Sequence, residues 1–424
     1  MVGMLEILGY AIVAGTAAQV ALGLFGTWRR GHLERRSFAA EARLFERQVE
    51  LSLRRAEAER DLTVNSWSGY RKLKVVRKIR EAEDVHSFEL AAHNGRPLPQ
   101  YLPGQFLTFQ VRIPGQIKPL VRCYSLSDAP ADASPDGGCY RISVKKVAPP
   151  EGTDCDPGIV SSYMNDVVRE GDILDVRAPS GGFTCDPASD QPIVLIAGGI
   201  GITPLLSMLN SVCRGQTERE VWLFYGVRNR NQHAFAGHIA ELRQLYPTLH
   251  VVICYSRPTG ECVLSRDYDR PGRIDLALLK ECLPSSNFAF YLCGPAAMME
   301  NLAEDLREWG VPAGDVRVEA FGAATVRSQP HEGSDPVVQP GVEIHFDRSG
   351  KTLSWDGSAG SILALAESHG VALESGCRAG HCGTCVVAIK AGEVDYVAEP
   401  ATVAEPGTCL ACMAVPRGRL VLDA

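Results

Sequence analysis

From Ile7 to Trp28 no residue carries a charge. At ~1.5 Å rise per residue, a helix of that length crosses a bilayer core of about 30 Å. The pattern then changes. Over 32–62, Phe38, Ala42, Phe45, Val49, Leu53 and Ala56 recur at helical spacing among Arg, Glu and Ala, which predicts a helix with one apolar face. From about Trp67, apolar and polar positions alternate: Val75, Val76 and Ile79, then Val85, Phe88 and Leu90, then Gly104–Val111. Gly and Pro punctuate these strands as far as Cys185, a pattern that predicts a small antiparallel barrel. Pro192–Ala197 is a continuous apolar run, the mark of a parallel strand buried on both faces. A helix over Leu205–Cys213, strands over Val221–Gly226 and Phe288–Leu292, and a helix from about Ala297 complete an α/β pattern. Residues 322–340 are rich in Ala, Ser, Gly and Pro and predict a flexible linker. Strands over Val342–Phe346 and Thr352–Trp355 and a helix near Ser361–Ser368 follow.

The expected chain is multidomain: transmembrane anchor 1–30, helical spacer 31–65, antiparallel β-barrel 66–185, α/β domain 186–322, linker 323–340, and a small β-grasp domain 341–424. Only Glu6 is charged before the uncharged span, so the basic region of a signal peptide is missing. Arg29, Arg30, Arg35 and Arg36 lie after it, and Tyr10 and Trp28 sit near its ends. That asymmetry predicts a single-pass membrane protein with its N-terminus outside and its catalytic domains on the cytoplasmic side. The 31–65 helix is a membrane-surface helix, a stalk, a short coiled coil or a solvated spacer.

Composition adds less. A 424-residue chain with 45% hydrophobic content is expected to hold two to four globular domains. A net charge of −7 gives no electrostatic footprint for nucleic acid. The fourteen cysteines show no disulfide framework outside the C-terminal group, which predicts reduced thiols.

That C-terminal group is the most specific signal. Cys377, Cys382 and Cys385 are spaced C-x4-C-x2-C, and Cys412 is a distant fourth. The spacing matches the plant-type [2Fe–2S] loop. Zinc is the rival, because Cys382/Cys385 and Cys409/Cys412 form two C-x2-C pairs, but a zinc ribbon leaves Cys377 unexplained. With its Arg-Ala-Gly insert and β-grasp flanks, the segment from Gly341 to Ala424 resembles a plant-type ferredoxin domain. The resemblance implies Cys377, Cys382, Cys385 and Cys412 as iron ligands, since the family's last ligand lies in a Leu-x-Cys element, which favours Cys412 over Cys409.

In the barrel, Arg122, Tyr124 and Ser125 offer a cation for phosphate, a flat face for a flavin ring and a hydroxyl. The strand Arg141–Lys145 follows, and then Gly158, Ser161 and Ser162, suited to a helix N-terminus that receives a pyrophosphate. In that order these elements resemble the flavin domain of the ferredoxin–NADP reductase superfamily. The resemblance implies Arg122, Tyr124 and Ser125 as flavin contacts, Val144 and Lys145 as a flanking strand, and Gly158, Ser161 and Ser162 as phosphate binders. It implies FAD, with FMN also found among relatives.

The α/β domain carries Gly198-Gly199-Ile-Gly201-Ile-Thr203-Pro204, which departs from G-x-G-x-x-G by placing Pro204 at the third glycine. No ribose-binding acid follows the next strand; Arg228 stands there instead. The run resembles the nicotinamide turn of the same superfamily, and Cys293-Gly294-Pro295 its second signature. The resemblance implies Gly199, Gly201 and Thr203 near the pyrophosphate and Cys293, Gly294 and Pro295 beside the nicotinamide. It places Arg228 and Arg257 near the adenosine ribose, where a 2′-phosphate would need cations. NADH and NADPH both stay open.

The module order is similar to that of phthalate dioxygenase reductase-like enzymes. It implies a reductase that passes electrons from a nicotinamide through flavin and a [2Fe–2S] cluster to a separate acceptor protein. No catalytic acid or base is assigned. The acceptor expected is an oxygenase, hydroxylase or desaturase, because this chain carries no haem, diiron or mononuclear iron motif, and anchoring favours a membrane-bound one. The reading from another class is a membrane redox-sensing or scaffolding protein without turnover.

Overall fold

The computed structural model describes residues 67, 69–130, 138–149, 156–215, 218–321, 341–376, 378, 380, 382–397 and 405–424. The expected anchor, spacer and linker, and Cys377, lie outside the described residues. Among the described residues no helix is long and apolar enough to cross a membrane.

The first domain is built from β1 (Arg71–Ala82), β2 (Val85–Ala92), β3 (Phe106–Val111), β4 (Leu120–Ser125), β5 (Tyr140–Lys145) and β6 (Ile173–Val176), in sheet order β4-β3-β6-β1-β2-β5. In β1, Leu73 and Val75 are buried while Lys72 and Lys74 are exposed, the period-two pattern of a strand wet on one face. The sheet curls towards closure where Leu126 bridges Ile142 and the Ser127 amide donates to the Arg141 carbonyl at 2.8 Å. Three buried hydroxyls reinforce that seam: Ser127 Oγ lies 2.8 Å from Ser143 Oγ, which lies 2.7 Å from Ser87 Oγ. Helix α1 (Ile159–Asp166) packs Val160 and Met164 into the barrel core.

The second domain is a parallel sheet of β7 (Ile193–Gly198), β8 (Val221–Val227), β9 (Leu249–Tyr255), β10 (Arg270–Pro271), β11 (Ala289–Cys293) and β12 (Val316–Glu319), in order β10-β9-β8-β7-β11-β12. Every residue of β7 is buried, as a central strand covered on both faces requires. Helices α2 (Ile202–Arg214), α3 (Ala236–Leu245), α4 (Leu276–Cys282) and α5 (Ala296–Glu308) connect the strands. The strand order reverses between β7 and β11, so a crevice opens at their carboxyl ends.

Helix α2 joins the two domains. Ser207, Asn210 and Arg214 fall on one helical face. All three meet Asp128 of the barrel: Ser207 Oγ donates to its carbonyl at 2.6 Å, and Asn210 Nδ2 and Arg214 Nη2 donate to Oδ1 at 2.9 and 3.0 Å. Tyr101 donates to the same carbonyl at 2.6 Å.

The third domain has β13 (Val342–Phe346), β14 (Lys351–Trp355), β15 (Val386–Ala391), β16 (Val394–Tyr396), β17 (Thr408–Leu410), β18 (Ala414–Pro416) and β19 (Leu420–Leu422). Its main sheet runs β14-β13-β19-β15-β17, with β16 and β18 forming a separate ribbon. First and last strands pair in parallel, and α6 (Ile362–Ser368), capped by Ser361 Oγ at 3.2 Å from the Ala364 amide, packs below, a β-grasp arrangement. This domain meets the barrel through its cysteine loop. Arg177 Nη1 donates to the Cys382 carbonyl at 3.0 Å, and a Cβ on Gly376 would lie 3.3 Å from Val121.

Candidate functional site

On the barrel, β4 presents Arg122, Tyr124 and Ser125 in one run. Tyr124 is half-buried with its ring edge-on to Phe109, centroids 5.6 Å apart, which fixes the plane of the phenol. Burial pushes its hydroxyl upward, so the ring serves as a neutral flat surface. Arg122 is exposed, and Nη1 donates back to the Val121 carbonyl at 2.6 Å. Ser125 is buried. Val144 points into the core, and Lys145 is held by Asp84 at 3.3 Å.

The N-terminus of α1 divides the work of its serines. Ser161 Oγ donates to the Gly158 carbonyl at 2.9 Å and accepts from the Val147 amide at 3.1 Å, so it ties the turn together. Ser162 Oγ is buried without a hydrogen-bond partner. No side chain caps this helix. A buried unpartnered hydroxyl beside uncapped amide donors suits an anionic oxygen, so these residues fit a flavin pyrophosphate. Gly158 is also tight: a Cβ there would stand 2.7 Å from Ser161 Oγ.

At the crevice of the α/β domain two turns meet backbone to backbone. A side chain on Gly201 would collide with the Cys293 carbonyl, and one on Gly198 would come within 2.6 Å of Pro295. Gly294 is equally confined: a Cβ there would lie 3.0 Å from the Gly198 backbone. Gly199 differs: its φ is +56°, and a Cβ would meet nothing within 4 Å. That open left-handed turn at a helix start leaves room for a pyrophosphate to approach the backbone. Thr203, buried, braces it by donating to the Ile200 carbonyl at 3.0 Å. Across the crevice mouth, the parallel ends of β8 and β9 set Arg228 beside Arg257, whose amide donates to the Arg228 carbonyl at 2.8 Å. Both residues are exposed.

Cys293 is fully buried at the tip of β11, and burial drives its thiol well above the usual range. It is therefore a neutral, compact sulfur. Its register partner on β12 is Glu319. The Glu319 carboxylate oxygen Oε2 is buried and unpartnered although the residue as a whole is partly exposed. Burial raises its pKa to about 8. Glu319 carries no sequence motif; only the pairing of β11 with β12 brings it beside Cys293. Phe321 beyond it is exposed.

In the third domain Cys382, Cys385 and Cys412 are buried, and Cys385 Sγ lies 3.0 Å from Cys412 Sγ. Cys409 is buried in the core, where β17 places it against Val387 of β15, and burial pushes its thiol up to about 12. Among the described residues no three ligands converge on one ion; a two-iron cluster asks for pairs. The loop fits such a cluster. Arg378, Gly380 and Gly383 have φ of 57°, 72° and 65°, which curls it tightly, and Glu367 holds Arg378 by a bidentate pair at 2.8 and 2.7 Å. A Cβ on Gly376 would lie 2.8 Å from Cys382 Sγ and 3.0 Å from Thr384 Oγ1, a hydroxyl buried without a partner.

The comparisons agree with this division. Residues 72–185 match an oxidoreductase FAD-binding domain, 195–304 an oxidoreductase NAD-binding domain, and 344–417 a 2Fe-2S iron-sulfur cluster binding domain. A flavohemoprotein of Halalkalibacterium halodurans is 39% identical over 259 residues, 61% of each chain. The chain thus spans 61% of the length of that curated relative. The flavohem-like FAD/NAD-binding domain of nitric oxide dioxygenase from Vibrio cholerae is 31% identical with a TM-score of 0.53, covering 60% of this chain and 99% of that one. Phthalate dioxygenase reductase, described as a modular structure for electron transfer from pyridine nucleotides to [2Fe-2S], is 27% identical with a TM-score of 0.51, over 84% of this chain and 98% of that one.

Fold and site together define an oxidoreductase with FAD-binding, NAD-binding and 2Fe-2S domains. The chain belongs to the FAD- and NAD-binding oxidoreductases, and its three modules stand in the order of phthalate dioxygenase reductase.

Two predictions follow from this geometry. Cys412→Ser should abolish the iron–sulfur absorption while reduction of the flavin by nicotinamide survives, whereas Cys409→Ser should keep the full cluster spectrum. Iron analysis and visible absorption check both, and zinc in place of iron would overturn the assignment. The second concerns Glu319. Its folded pKa of about 8 lies above the unfolded value, so the folded state holds the extra proton and stability falls as pH rises from about 4.5 through 8. Glu319→Gln removes that slope. Relative to wild type, the variant should gain on the order of 1–3 kcal/mol between pH 5 and pH 8.5, read as diverging Tm values; parallel Tm curves would show the carboxyl to be solvated.

Proposed function

We propose that this protein is a membrane-anchored reductase that draws electrons from NADH or NADPH and delivers them to a separate acceptor protein, an oxygenase, hydroxylase or desaturase. When bound, the flavin accepts hydride from the nicotinamide and the [2Fe–2S] cluster carries electrons singly. The chain's own residues supply position and environment. Gly199 opens the turn to the dinucleotide backbone, and the neutral sulfur of Cys293 lets rings approach closely. The Tyr124 ring offers a flat wall, and Ser162 with the start of α1 holds phosphate. The single observation that carries the reading is the docking of the cysteine loop on the flavin barrel, through Arg177 and Cys382 and through Val121 and Gly376. That contact puts an electron carrier against the domain that receives hydride. The phthalate dioxygenase reductase likeness supports an oxygenase as the acceptor.

Anchoring rests on the uncharged run Ile7–Trp28 and the arginines after it, which favour a cytoplasmic location for the three domains. Anaerobic addition of NADH to the purified full chain tests the core of the reading: flavin absorption should bleach and the electron paramagnetic resonance signal of a reduced [2Fe–2S] cluster should rise. A bleached flavin with a cluster that stays oxidised would refute it. Deleting residues through Trp28 should move the protein from the salt-washed membrane pellet to the supernatant with both chromophores intact.

The donor is set by charge. Arg228 and Arg257 stand together at the ends of β8 and β9, and we propose that they receive a 2′-phosphate and that both NADH and NADPH are used. A charge-assisted hydrogen bond contributes about 1.5–3 kcal/mol. Arg228→Ala with Arg257→Ala should therefore raise KM for NADPH by roughly tenfold or more, leaving NADH nearly unchanged. Equal changes for both donors in steady-state assays would remove these residues from phosphate recognition.

A further inference from the structure

Arg177 extends the last barrel strand: its amide donates to the Thr108 carbonyl at 2.8 Å. Its side chain bridges the barrel and the third domain. The guanidinium carbon stacks 4.9 Å from the centroid of Tyr70, and Nη1 donates to the carbonyl of Cys382, a residue 205 positions away, at 3.0 Å. Nε is buried without a partner. Among the described residues no carboxylate pairs with this arginine, unlike Arg141 and Arg214, which share Asp128. A half-buried cation without a counter-ion is costly. Here it is aimed at the backbone of a cluster-ligand residue, and four thiolates make that cluster anionic.

We propose that Arg177 is a positioning residue for electron transfer between the flavin and the cluster, acting in two ways. Its hydrogen bond to the Cys382 carbonyl pins the cysteine loop against the barrel. Its positive charge stabilises the more negative, reduced cluster and so raises the cluster's reduction potential. The step it serves moves one electron from the reduced flavin to the cluster, oxidising the first and reducing the second. Two such transfers clear the two electrons of one hydride supplied by the nicotinamide. Tyr70 holds the guanidinium in place; a lysine there would keep the charge and lose the flat stack.

The proposal rests on the reductase reading, and the test separates the two. In wild type, stopped-flow mixing with NADH under anaerobic conditions should show flavin bleaching followed by cluster reduction; absence of the second phase refutes the reductase reading itself. In Arg177→Gln, the bleaching rate should be unchanged. Cluster reduction should slow at least tenfold, and a redox titration followed by electron paramagnetic resonance should place the cluster midpoint lower than in wild type. Arg177→Lys should restore the midpoint while leaving transfer slower than wild type. Iron and sulfide content per flavin establishes that each variant is loaded. Should Arg177→Gln fail to load, Tyr70→Leu decides, since it frees the guanidinium without removing it: transfer should slow with little change in midpoint. An unchanged midpoint and an unchanged transfer rate in Arg177→Gln, an equal slowing of both kinetic phases, or wild-type transfer in Tyr70→Leu overturns the assignment.

Discussion

The contact between the Gly201 backbone and the Cys293 carbonyl governs the crevice of the NAD-binding domain. No side chain fits between them, so the turn after β7 and the turn after β11 lock together at van der Waals distance. The lock brings Cys293 to the crevice floor and Gly199 to its rim. On its other side β11 pairs with β12, which makes Glu319 the register partner of Cys293. A methyl group at Gly201 would push the two turns apart. Glycine here is a condition of geometry; at Gly199 it is a condition of backbone conformation, with open space on the side a Cβ would fill.

Much of the site is readable from sequence because its chemistry lies in contiguous strand–turn–helix runs. Gly198–Pro204, Cys293–Pro295 and the spacing of Cys377, Cys382 and Cys385 each announce a loop whose backbone must do a particular thing. The strands of the barrel and of the β-grasp domain follow from alternation, and β7 from its unbroken apolar run. Helix α2 begins at Ile202, earlier than the Leu205 expected, because Pro204 sits in its first turn, where its missing amide costs nothing. Contiguity does not say which side chains are already spent. Ser161 and Ser162 look equivalent in sequence, yet one is consumed by its own turn and the other is buried without a partner. Lys145 is likewise committed to Asp84.

What the sequence conceals is the set of contacts between modules. Asp128, Arg177 and Glu319 have no motif, because each acquires its role from residues far along the chain. Asp128 gathers three side chains of α2, and Arg177 reaches the third domain. Glu319 becomes a perturbed carboxyl only through burial against β11. Periodicity predicts which face of an element is buried, and it carries no information about which distant polar group that face will meet.

The cluster loop shows how the two kinds of information combine. Spacing alone leaves Cys409 and Cys412 as rivals. The structure adds geometry: Cys409 lies on β17 opposite Val387, while Cys412, past the strand end, has its sulfur 3.0 Å from that of Cys385, which supports Cys412 as the ligand. The Cys385–Cys412 half of the site is thus set in the domain's own core, and the Cys382 half faces the barrel. With Arg177 donating to the Cys382 carbonyl, that side of the cysteine loop is covered by the barrel. In the proposed reductase an acceptor protein would therefore approach another face, and electrons would enter and leave the cluster by different sides.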